Sequence, residues 1–511
     1  MALVLTGRVV TFDDDRPVIN DGAVYVHNGM IDAVQRRTTK APSGFEKAER
    51  VATGGTIYPG LVDLHNHLAY NFLPLWRAPK TEPYTSRHQW PGAATYGREV
   101  SQPAEAMKEA AAAATLRYAE VRAVVGGVTS IQGSPQLKKE FVGWMVRNIE
   151  KQTFPDLDNP VIFQAVIQAD TQTLTAVGEK LGTTKSFIYH LAEGTDPKLN
   201  GEYRDLRKAK CVHERLIAIH ATALGATEYG QWATKPGTIV WSPFSNLWLY
   251  GDTTDVVEAR RQGILVCLGS DWGPSGTRNL LGELKVAALW NEKHLDKAFT
   301  PHELCEMATA NPGDALARSW GRQVGRLRPG ALADLMVTAT RQGDAYRNLL
   351  NASERHVRLV VSQGHPVYGN RALMKAAGAT NLESIRVAGT ERTISMRLPA
   401  DQQPDDPMAS AEVNMSWKDG LAAMQRVVDN PALAVKQARG RKPKGGFRPV
   451  TYELDMPGPD GGAARALTDD ELANLVMLPI EPLGHDAAWF RQIRNGHPHG
   501  AILAGLGAYF R

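Results

Sequence analysis

Several apolar runs in this 511-residue sequence end in side chains that can bind a metal. The first run leads into His65 and His67, with Asp63 just before them. Because side chains alternate along a β-strand, residues two positions apart share a face, so the two imidazoles would point at one ion. A His-x-His pair alone is equally consistent with a structural role, so the prediction depends on the later runs.

Three later apolar runs end in the same way. In chain order they are 187–191 with His190 and the nearby Glu193, 216–220 ending in His220, and 264–269 followed by Asp271. Each alone is consistent with a hydrogen-bonded polar residue at a strand end, but together they predict a metal site. Histidine nitrogens with one carboxylate oxygen suit Zn²⁺ or Fe²⁺. A ligand set that leaves one position for water is hydrolytic, because the metal lowers the pKa of that water.

The elements that must position these side chains alternate between strand-like and helix-like runs. The strand candidates are 56–67, 127–132, 161–168, 187–191, 216–220, 238–242 and 264–269, with a weak eighth at 143–148. The helix candidates are 103–122, 172–181, 204–213, 253–262 and 301–318. This alternation predicts an α/β fold of parallel βαβ units, and the strand count favours a (β/α)₈ TIM-type barrel over an open doubly wound sheet. In such a barrel, functional side chains lie at the C-terminal ends of the strands.

Both flanks of this central region have the pattern of antiparallel strands. Residues 22–34 hold two strand patterns around Asn28-Gly29, the signal of a two-residue hairpin. Residues 326–370 show similar runs. We therefore expect a small β-sandwich domain from 1–55 and 321–375, with the barrel inserted at 56–320.

The last part of the chain, 376–511, differs from the rest. We expect linkers at 401–407 and 457–462, and a helix after Thr468, because Thr468 and Glu471 have the spacing of a capping box. The basic run 436–448 could contact nucleic acid, but a solvated loop is favoured because no aromatic residues interleave it. We expect this extension to cover the barrel or to mediate contact between copies.

Composition excludes several classes of function. The formal charge of +4 is small for this length, which argues against a polyanionic partner such as nucleic acid. Three widely spaced cysteines fit a reducing compartment, and no signal peptide or stretch of about 20 apolar residues is visible. We therefore expect a cytoplasmic homo-oligomer that acts on a small-molecule substrate and binds no membrane.

The motifs together resemble the amidohydrolase superfamily, and within it the mononuclear deaminase and chlorohydrolase branch, similar to cytosine and guanine deaminases. The matching motifs are Pro59-Gly60-x-x-Asp63-x-His65-x-His67, His190-x-x-Glu193, His220, Ser242-Pro243-Phe244-Ser245-Asn246 and Gly269-Ser270-Asp271. The resemblance covers about residues 1–370.

The resemblance implies a role for each matching residue. The implied metal ligands are His65, His67, His190 and Asp271. Glu193 would shuttle protons, and His220 would orient the attacking hydroxide or polarise the substrate, with Asp271 assisting. Binuclear relatives add a carboxylated lysine at a strand end, and Lys185 precedes its strand. One divalent ion per chain is therefore expected, Zn²⁺ first and Fe²⁺ as the alternative.

The expected reaction is hydrolysis of a non-peptide C–N bond, with deamination of a planar amino-heterocycle as the leading interpretation. The alternatives are ring opening of a cyclic amide of the imidazolone type, and dechlorination of a heterocycle. A silent scaffold with the same fold is disfavoured, because every implied ligand is retained.

The aromatic segment 241–250 and Trp272 could form a flat slot for such a substrate, although packing is an equal alternative. The candidate substrate contacts are Trp241, Ser245, Asn246, Trp272, Arg278 and Arg147.

Overall fold

A computed structural model describes residues 2–508 with gaps. The residues left out within that range are 16, 77–81, 134–135, 138–144, 151–161, 167–168, 183–184, 341–342, 397–413, 442–449, 457, 459–464, 482, 485–486 and 497–499. The expected linker at 401–407, most of that at 457–462, and the basic residues from 442 onward lie outside the described part.

The strands are β1 Ala2–Val10, β2 Val18–His27, β3 Met30–Arg36, β4 Arg50–Pro59, β5 Leu61–Asp63, β6 Val128–Ile131, β7 Gln136–Leu137, β8 Arg147–Asn148, β9 Ile162–Val166, β10 Ser186–Leu191, β11 Leu216–His220, β12 Thr238–Trp241, β13 Leu265–Leu268, β14 Leu335–Ala339, β15 Val357–Ser362, β16 His365–Gly369, β17 Glu383–Val387, β18 Thr390–Ile394 and β19 Tyr452–Glu453.

The α-helices are α1 Gln102–Val125, α2 Thr171–Leu181, α3 Asn200–Lys208, α4 Ala226–Trp232, α5 Pro243–Tyr250, α6 Val256–Arg261, α7 Leu280–His294, α8 Pro301–Glu306, α9 Ala310–Trp320, α10 Ala345–Leu350, α11 Arg371–Ala376, α12 Trp417–Asp429, α13 Pro431–Arg439, α14 Asp469–Asn474, α15 Ala487–Gly496 and α16 Gly500–Leu503.

Eight short strands of the central region run parallel to their neighbours. Strands β5, β6 and β8 form one sheet, and β9 to β13 form a second sheet in sequence order. A parallel bridge between Asn66 and Asp271 joins the segment after β5 to the segment after β13. The predicted α/β fold of parallel strands is therefore confirmed.

A nine-stranded sheet is built from both flanks of the central region. Its order is β17-β18-β16-β15-β14-β4-β1-β2-β3, and β4 pairs antiparallel with β14. The Asn28-Gly29 hairpin is confirmed, because both residues have positive φ angles, of 49° and 74°, as a two-residue turn of this hand requires. Strands β17 and β18 extend this sheet to residue 394, past residue 375 where the expected domain ended.

Two predicted elements are each divided into two in the structure. The expected strand at 56–67 is two strands, because the backbone changes partner at Gly60: its N–H donates to Asp334, whereas the N–H of Leu61 donates to Gly127 of the barrel region. The expected helix at 301–318 is broken into α8 and α9, since the carbonyls of Met307 and Ala308 accept hydrogen bonds from β13 and β5.

The C-terminal extension packs on the barrel region rather than standing apart. Met424 and Val427 of α12 and Val435 of α13 belong to the same apolar core as α1. The capping box of Thr468 and Glu471 is confirmed at the start of α14. In the described part of the chain, every helix is too short or too polar to cross a lipid bilayer.

Candidate metal centre and active site

The ends of β5 and β13 bring the first three candidate ligands together. The N–H of Asp271 donates to the carbonyl of His65 at 2.9 Å, and the N–H of His67 donates to Asp271 at 3.4 Å. Nε2 of His65 lies 3.2 Å from Oδ1 of Asp271, and Nε2 of His67 lies 3.8 Å from the same oxygen. Both imidazoles therefore face the Asp271 carboxylate, as the His-x-His spacing predicts.

His190 at the end of β10 and His220 at the end of β11 complete a cluster of four imidazoles. The ring of His65 lies 4.7 Å from that of His190 and 4.9 Å from that of His220, measured between centroids. All four side chains are buried. The residues that sequence reasoning placed at four strand ends thus meet in one place.

The backbone is strained where two of these side chains leave their strands. His220 has a φ of 64° and Asp271 a φ of 62°, in the left-handed region that residues other than glycine rarely adopt. Such strain costs about 1–3 kcal/mol per residue and persists where the surrounding structure fixes the conformation.

The donor set fits a divalent transition ion. Among the described residues, Nδ1 of His65 and both ring nitrogens of His190 have no hydrogen-bond partner, and Nε2 of His65 has only the Asp271 carboxylate beside it, although both side chains are buried. Leaving buried polar nitrogens unpaired is costly, and a bound ion would satisfy one nitrogen of each. The ligand atoms of His65, His67 and Asp271 also lie within 4.8 Å of one another.

The protonation states of His190, His220 and Asp271 agree with this interpretation. Burial and the neighbouring imidazoles hold the pKa of His190 and of His220 well below the ordinary value, which keeps both rings neutral. Burial opposes ionisation of Asp271, but His65, His220 and His67 hold its pKa below its usual range. Neutral imidazoles and an ionised carboxylate are the forms that bind a metal.

Glu193 lies beside the cluster and is held by a tyrosine. The hydroxyl of Tyr250 donates to Oε1 of Glu193 at 2.6 Å, and Nε1 of Trp90 donates to the Tyr250 hydroxyl at 3.0 Å. Nε2 of His220 lies 3.6 Å from the same Glu193 oxygen. Burial raises the pKa of Glu193, while Arg87 and the Tyr250 hydrogen bond oppose that rise. A carboxyl whose pKa is raised toward neutrality is suited to exchange protons.

His220 is oriented by an amide. Nδ2 of Asn246 lies 3.0 Å from Nδ1 of His220, and the amide oxygen of Asn246 accepts from the Thr253 hydroxyl at 3.3 Å. With the amide oriented in this way, Nδ1 accepts a hydrogen bond and the ring proton lies on Nε2. In this tautomer the Nε2–H of His220 faces Glu193, and a ring nitrogen of His220 also lies near those of His65 and His190.

Asp63, which precedes the His-x-His pair, fixes the backbone instead of joining the cluster. Its carboxylate accepts hydrogen bonds from the N–H of Ser270 at 3.1 Å, from the Ser270 hydroxyl at 2.5 Å and from the N–H of His65 at 3.3 Å. These bonds tie the segment that carries His65 to the segment that carries Asp271.

A carboxylate from the C-terminal extension also reaches the cluster. Oδ2 of Asp455 lies 2.7 Å from Nδ1 of His67. Burial opposes protonation of His67, but Asp455, Asp271 and Glu193 raise its pKa to about 9. Sequence reasoning missed Asp455, because it follows no apolar run and belongs to no motif.

Of the predicted substrate contacts, Asn246 and Trp272 lie next to the imidazole cluster, and Ser245 and Trp241 make hydrogen bonds to other side chains. Asn246 bonds His220 as described above, and the Trp272 ring lies 6.1 Å from that of His67. The Ser245 hydroxyl lies 2.9 Å from that of Ser275. Nε1 of Trp241 donates to Thr253 at 2.7 Å.

The two arginines among these candidates are engaged elsewhere. Arg147 is buried, and its Nε lies 3.3 Å from Oδ2 of Asp334, the residue just before β14. Arg278 is buried with its Nη2 2.8 Å from Glu481 of the extension.

A family of known proteins matches the part of the chain that carries most of these site residues. The model of the amidohydrolase family matches residues 160–367, which include His190, Glu193, His220 and Asp271. This part of the chain is therefore similar to the amidohydrolase family. The resemblance seen in the motifs and the prediction of an amidohydrolase-type hydrolase are thus both confirmed.

Curated relatives are similar to a longer part of the chain than the family model is. A 5-methylthioadenosine/S-adenosylhomocysteine deaminase of Syntrophobacter fumaroxidans is 28% identical over 380 residues, which cover 66% of this chain and 85% of the relative. A 5'-deoxyadenosine deaminase of Methanothrix thermoacetophila is 28% identical over 243 residues, which cover 45% of this chain and 56% of the relative.

Solved structures show the same fold. Guanine deaminase from C. acetobutylicum gives a TM-score of 0.55 at 17% identity and covers 72% of this chain and 100% of its own. Atrazine chlorohydrolase from Arthrobacter aurescens, complexed with zinc, gives a TM-score of 0.54 at 18% identity and covers 71% of this chain and 95% of its own.

Proposed function

We propose that this protein is a metal-dependent deaminase of a planar amino-heterocycle. The observation that carries the proposal is the pair of Glu193 and His220, 3.6 Å apart beside the imidazole cluster. One group of this pair can exchange a proton and the other can donate a hydrogen bond, and hydrolysis of a C–NH₂ bond requires both.

In this proposal, His65, His67, His190 and Asp271 hold one divalent transition ion per chain, Zn²⁺ in the first instance. Such an ion supplies Lewis acidity and lowers the pKa of bound water toward neutrality. His220 is left outside this set, because its Nε2 carries the proton.

The side chains of the chain itself perform the proton transfers. Glu193 accepts a proton from the nucleophilic water and returns it to a ring nitrogen or to the departing amine. The Tyr250 hydroxyl, 2.6 Å away, stabilises the carboxylate form of Glu193 between these two transfers. The Nε2–H of His220 donates to the atom that gains negative charge, and the buried cluster keeps bulk water away.

The proposed substrate is flat and apolar on at least one face. The Trp272 ring packs against Tyr70 at 5.3 Å and Trp90 at 5.6 Å between ring centroids, next to His67. An aromatic wall of this kind suits stacking with a heterocycle. Because two of the curated relatives are named as deaminases of adenosine derivatives, 6-aminopurine nucleosides are the first substrates to test.

The proposed domain organisation assigns the chemistry to a closed (β/α)₈ barrel over 56–320. A β-sandwich domain from 1–55 and 321–375 would flank the barrel, with β17 and β18 added to it, because they pair in the same sheet. The residues after 394 then form the extension. The homo-oligomeric state and the cytoplasmic location stay predictions.

The test is a product screen with the zinc-loaded protein. Ammonia release from aminopurines, aminopyrimidines or aminotriazines would support deamination, and the Glu193→Gln protein should release ammonia at least about 10²-fold more slowly. Ring opening of a lactam without ammonia, or chloride release from a chlorotriazine, would replace the proposed reaction with one of the two alternatives.

A further inference from the structure

The C-terminal extension reaches the candidate metal centre at one carboxylate. Asp455 lies 388 residues after His67 in the chain, yet its Oδ2 is 2.7 Å from Nδ1 of that imidazole. The His67 side chain is 5% exposed and that of Asp455 is 23% exposed, so the contact lies largely away from solvent. The extension therefore contributes directly to the surroundings of a candidate ligand.

The two ring nitrogens of His67 face different groups. Nε2 faces Asp271 and the other imidazoles, whereas Nδ1 faces Asp455. An ionised carboxylate only accepts hydrogen bonds, so Nδ1 carries a proton. When Nε2 gives up its own proton to bind an ion, the remaining proton stays on Nδ1 and the Nε2 lone pair faces the cluster. This arrangement of carboxylate, histidine and metal site is one that fixes the tautomer and the ring orientation of a ligand.

Other contacts hold the Asp455 segment in place. Tyr452 of β19 pairs with Leu137 of β7, and both Tyr452 and Met456 are buried. Oδ1 of Asp455 is buried without a hydrogen-bond partner among the described residues. No described cation competes with His67 for this carboxylate.

The other imidazole ligands have no such partner. Nδ1 of His65 and Nδ1 of His190 are without hydrogen bonds in the described part of the chain. Within the proposed ligand set, His67 is thus the imidazole whose orientation is fixed by a carboxylate, and that carboxylate comes from the extension.

We propose that Asp455 is a positioning residue for the metal ligand His67, and that the C-terminal extension thereby completes the metal centre. This inference rests on the proposed metal site. It goes beyond the proposed reaction, because it gives the C-terminal extension a role in metal retention. The motifs that predict the metal site all lie within the first 370 residues.

The test measures zinc affinity by competition with a chromogenic chelator, using the full-length chain. Loss of an outer hydrogen-bond partner typically weakens metal affinity 10- to 100-fold, and this range is expected for Asp455→Ala. Asp455→Asn keeps an acceptor for Nδ1 and should fall between Asp455→Ala and the parent. Glu453→Gln is the matched control: it removes a carboxylate two residues away that lies 3.6 Å from Lys108, and its zinc affinity should equal that of the parent.

A second measurement separates positioning from general support of the fold. In the cobalt-loaded protein, the visible absorption spectrum reports the ligand geometry and should change in Asp455→Ala but not in Glu453→Gln. The thermal midpoint of the metal-free protein should be alike in all variants. Parent-like zinc affinity in Asp455→Ala would overturn the inference while leaving the proposed metal site intact, whereas a parent protein that binds no transition ion would overturn both.

Discussion

The side chain of Glu193 makes a sharp test of the proposed mechanism, because its proposed role is to move protons and not to hold the ion. Glu193→Gln keeps the shape of the side chain but cannot accept a proton at neutral pH. General acid–base groups contribute a factor of about 10² to 10⁴, so kcat should fall by at least that much. Zinc content, measured by elemental analysis, should equal that of the parent.

The matched comparison for this variant is His190→Ala, which removes a proposed ligand. It should lose the metal while the fold survives on its apolar core. A Glu193→Gln protein that turns over normally, or that loses its zinc, would show that Glu193 has a different role.

Tyr250 gives a prediction about pH. Burial raises the pKa of Glu193. The hydrogen bond from the Tyr250 hydroxyl opposes this rise, because a hydrogen bond to a carboxylate favours the ionised form. A general base acts when ionised, so activity is lost as the pH falls through this pKa. Tyr250→Phe should therefore move the acid limb of the kcat profile to higher pH.

The control for this pH shift is Tyr58→Phe. Tyr58 is buried in the nine-stranded sheet, where its hydroxyl donates to the carbonyl of Ala345. Its removal should leave the acid limb in place. If the acid limb also stays in place in Tyr250→Phe, the Tyr250 hydroxyl does not affect the pKa of Glu193.

Sequence reasoning reached some of these side chains and not others for a physical reason. His190, His220 and Asp271 each end an apolar run, and a parallel fold brings strand ends together, so their meeting could be predicted. The role of Tyr250 depends on the direction of α5, which begins at Pro243 and was not predicted as a helix, although Pro at the first helical position was an available signal.

The two arginines illustrate a second limit. A buried guanidinium needs a partner, but the sequence does not tell whether that partner is a substrate or a carboxylate of the protein. The partners of Arg147 and Arg278 are Asp334 and Glu481, each about 190 or more residues away in the chain.

Among the connecting elements, the turn after β6 lies directly against the backbone of the His-x-His segment. Gly133 has a φ of 99°, and a Cβ atom there would lie 1.7 Å from the carbonyl oxygen of Asn66, which separates the two histidines. Gly133→Ala must therefore displace the Asn66 backbone. We expect a loss of at least about 1–2 kcal/mol in the free energy of unfolding, together with weaker zinc retention.

Gly230 in α4 is the matched control for this substitution. No atom lies within 4 Å of a Cβ at that position, and alanine is favoured over glycine within a helix by roughly 0.5–1 kcal/mol. Gly230→Ala should keep or raise the thermal midpoint and keep the metal. Equal zinc retention in the two variants would mean that the β6 turn does not position the ligands.

The boundaries of the elements were harder to predict than their existence. The apolar runs at 187–191 and 216–220 correspond closely to β10 and β11, because both faces of such strands are buried. The break between α8 and α9 had no local signal. It arises because β5 and β13 use carbonyls at 307–308, a contact that only the assembled fold defines.

For the molecule as a whole, removal of the extension tests its structural role. A chain that ends at Met396 loses the buried side chains Met424, Val427 and Val435, and burial of each is worth about 1.5–3 kcal/mol. It also loses Asp455. The free energy of unfolding should therefore fall by several kcal/mol, which lowers the thermal midpoint. Zinc should also be held more weakly.

Full-length Asp455→Ala separates the two effects of this truncation. It should retain zinc poorly but unfold, in its metal-free form, at the parent temperature. A truncated chain with the stability and zinc affinity of the parent would show that the extension is an independent appendage.

The pairing of β4 with β14 also has a consequence for how the protein is made. The hydroxyls of Thr56 in β4 and of Thr340, the residue after β14, lie 2.8 Å apart but are separated by 284 residues in the chain. At roughly 5–20 residues per second, the ribosome needs roughly 15–60 s to deliver the second strand after the first. Until then β4 offers an open edge of unpaired backbone groups, which can pair with another nascent chain on the same messenger. Slow translation between these two strands therefore lengthens the period in which newly made chains can aggregate.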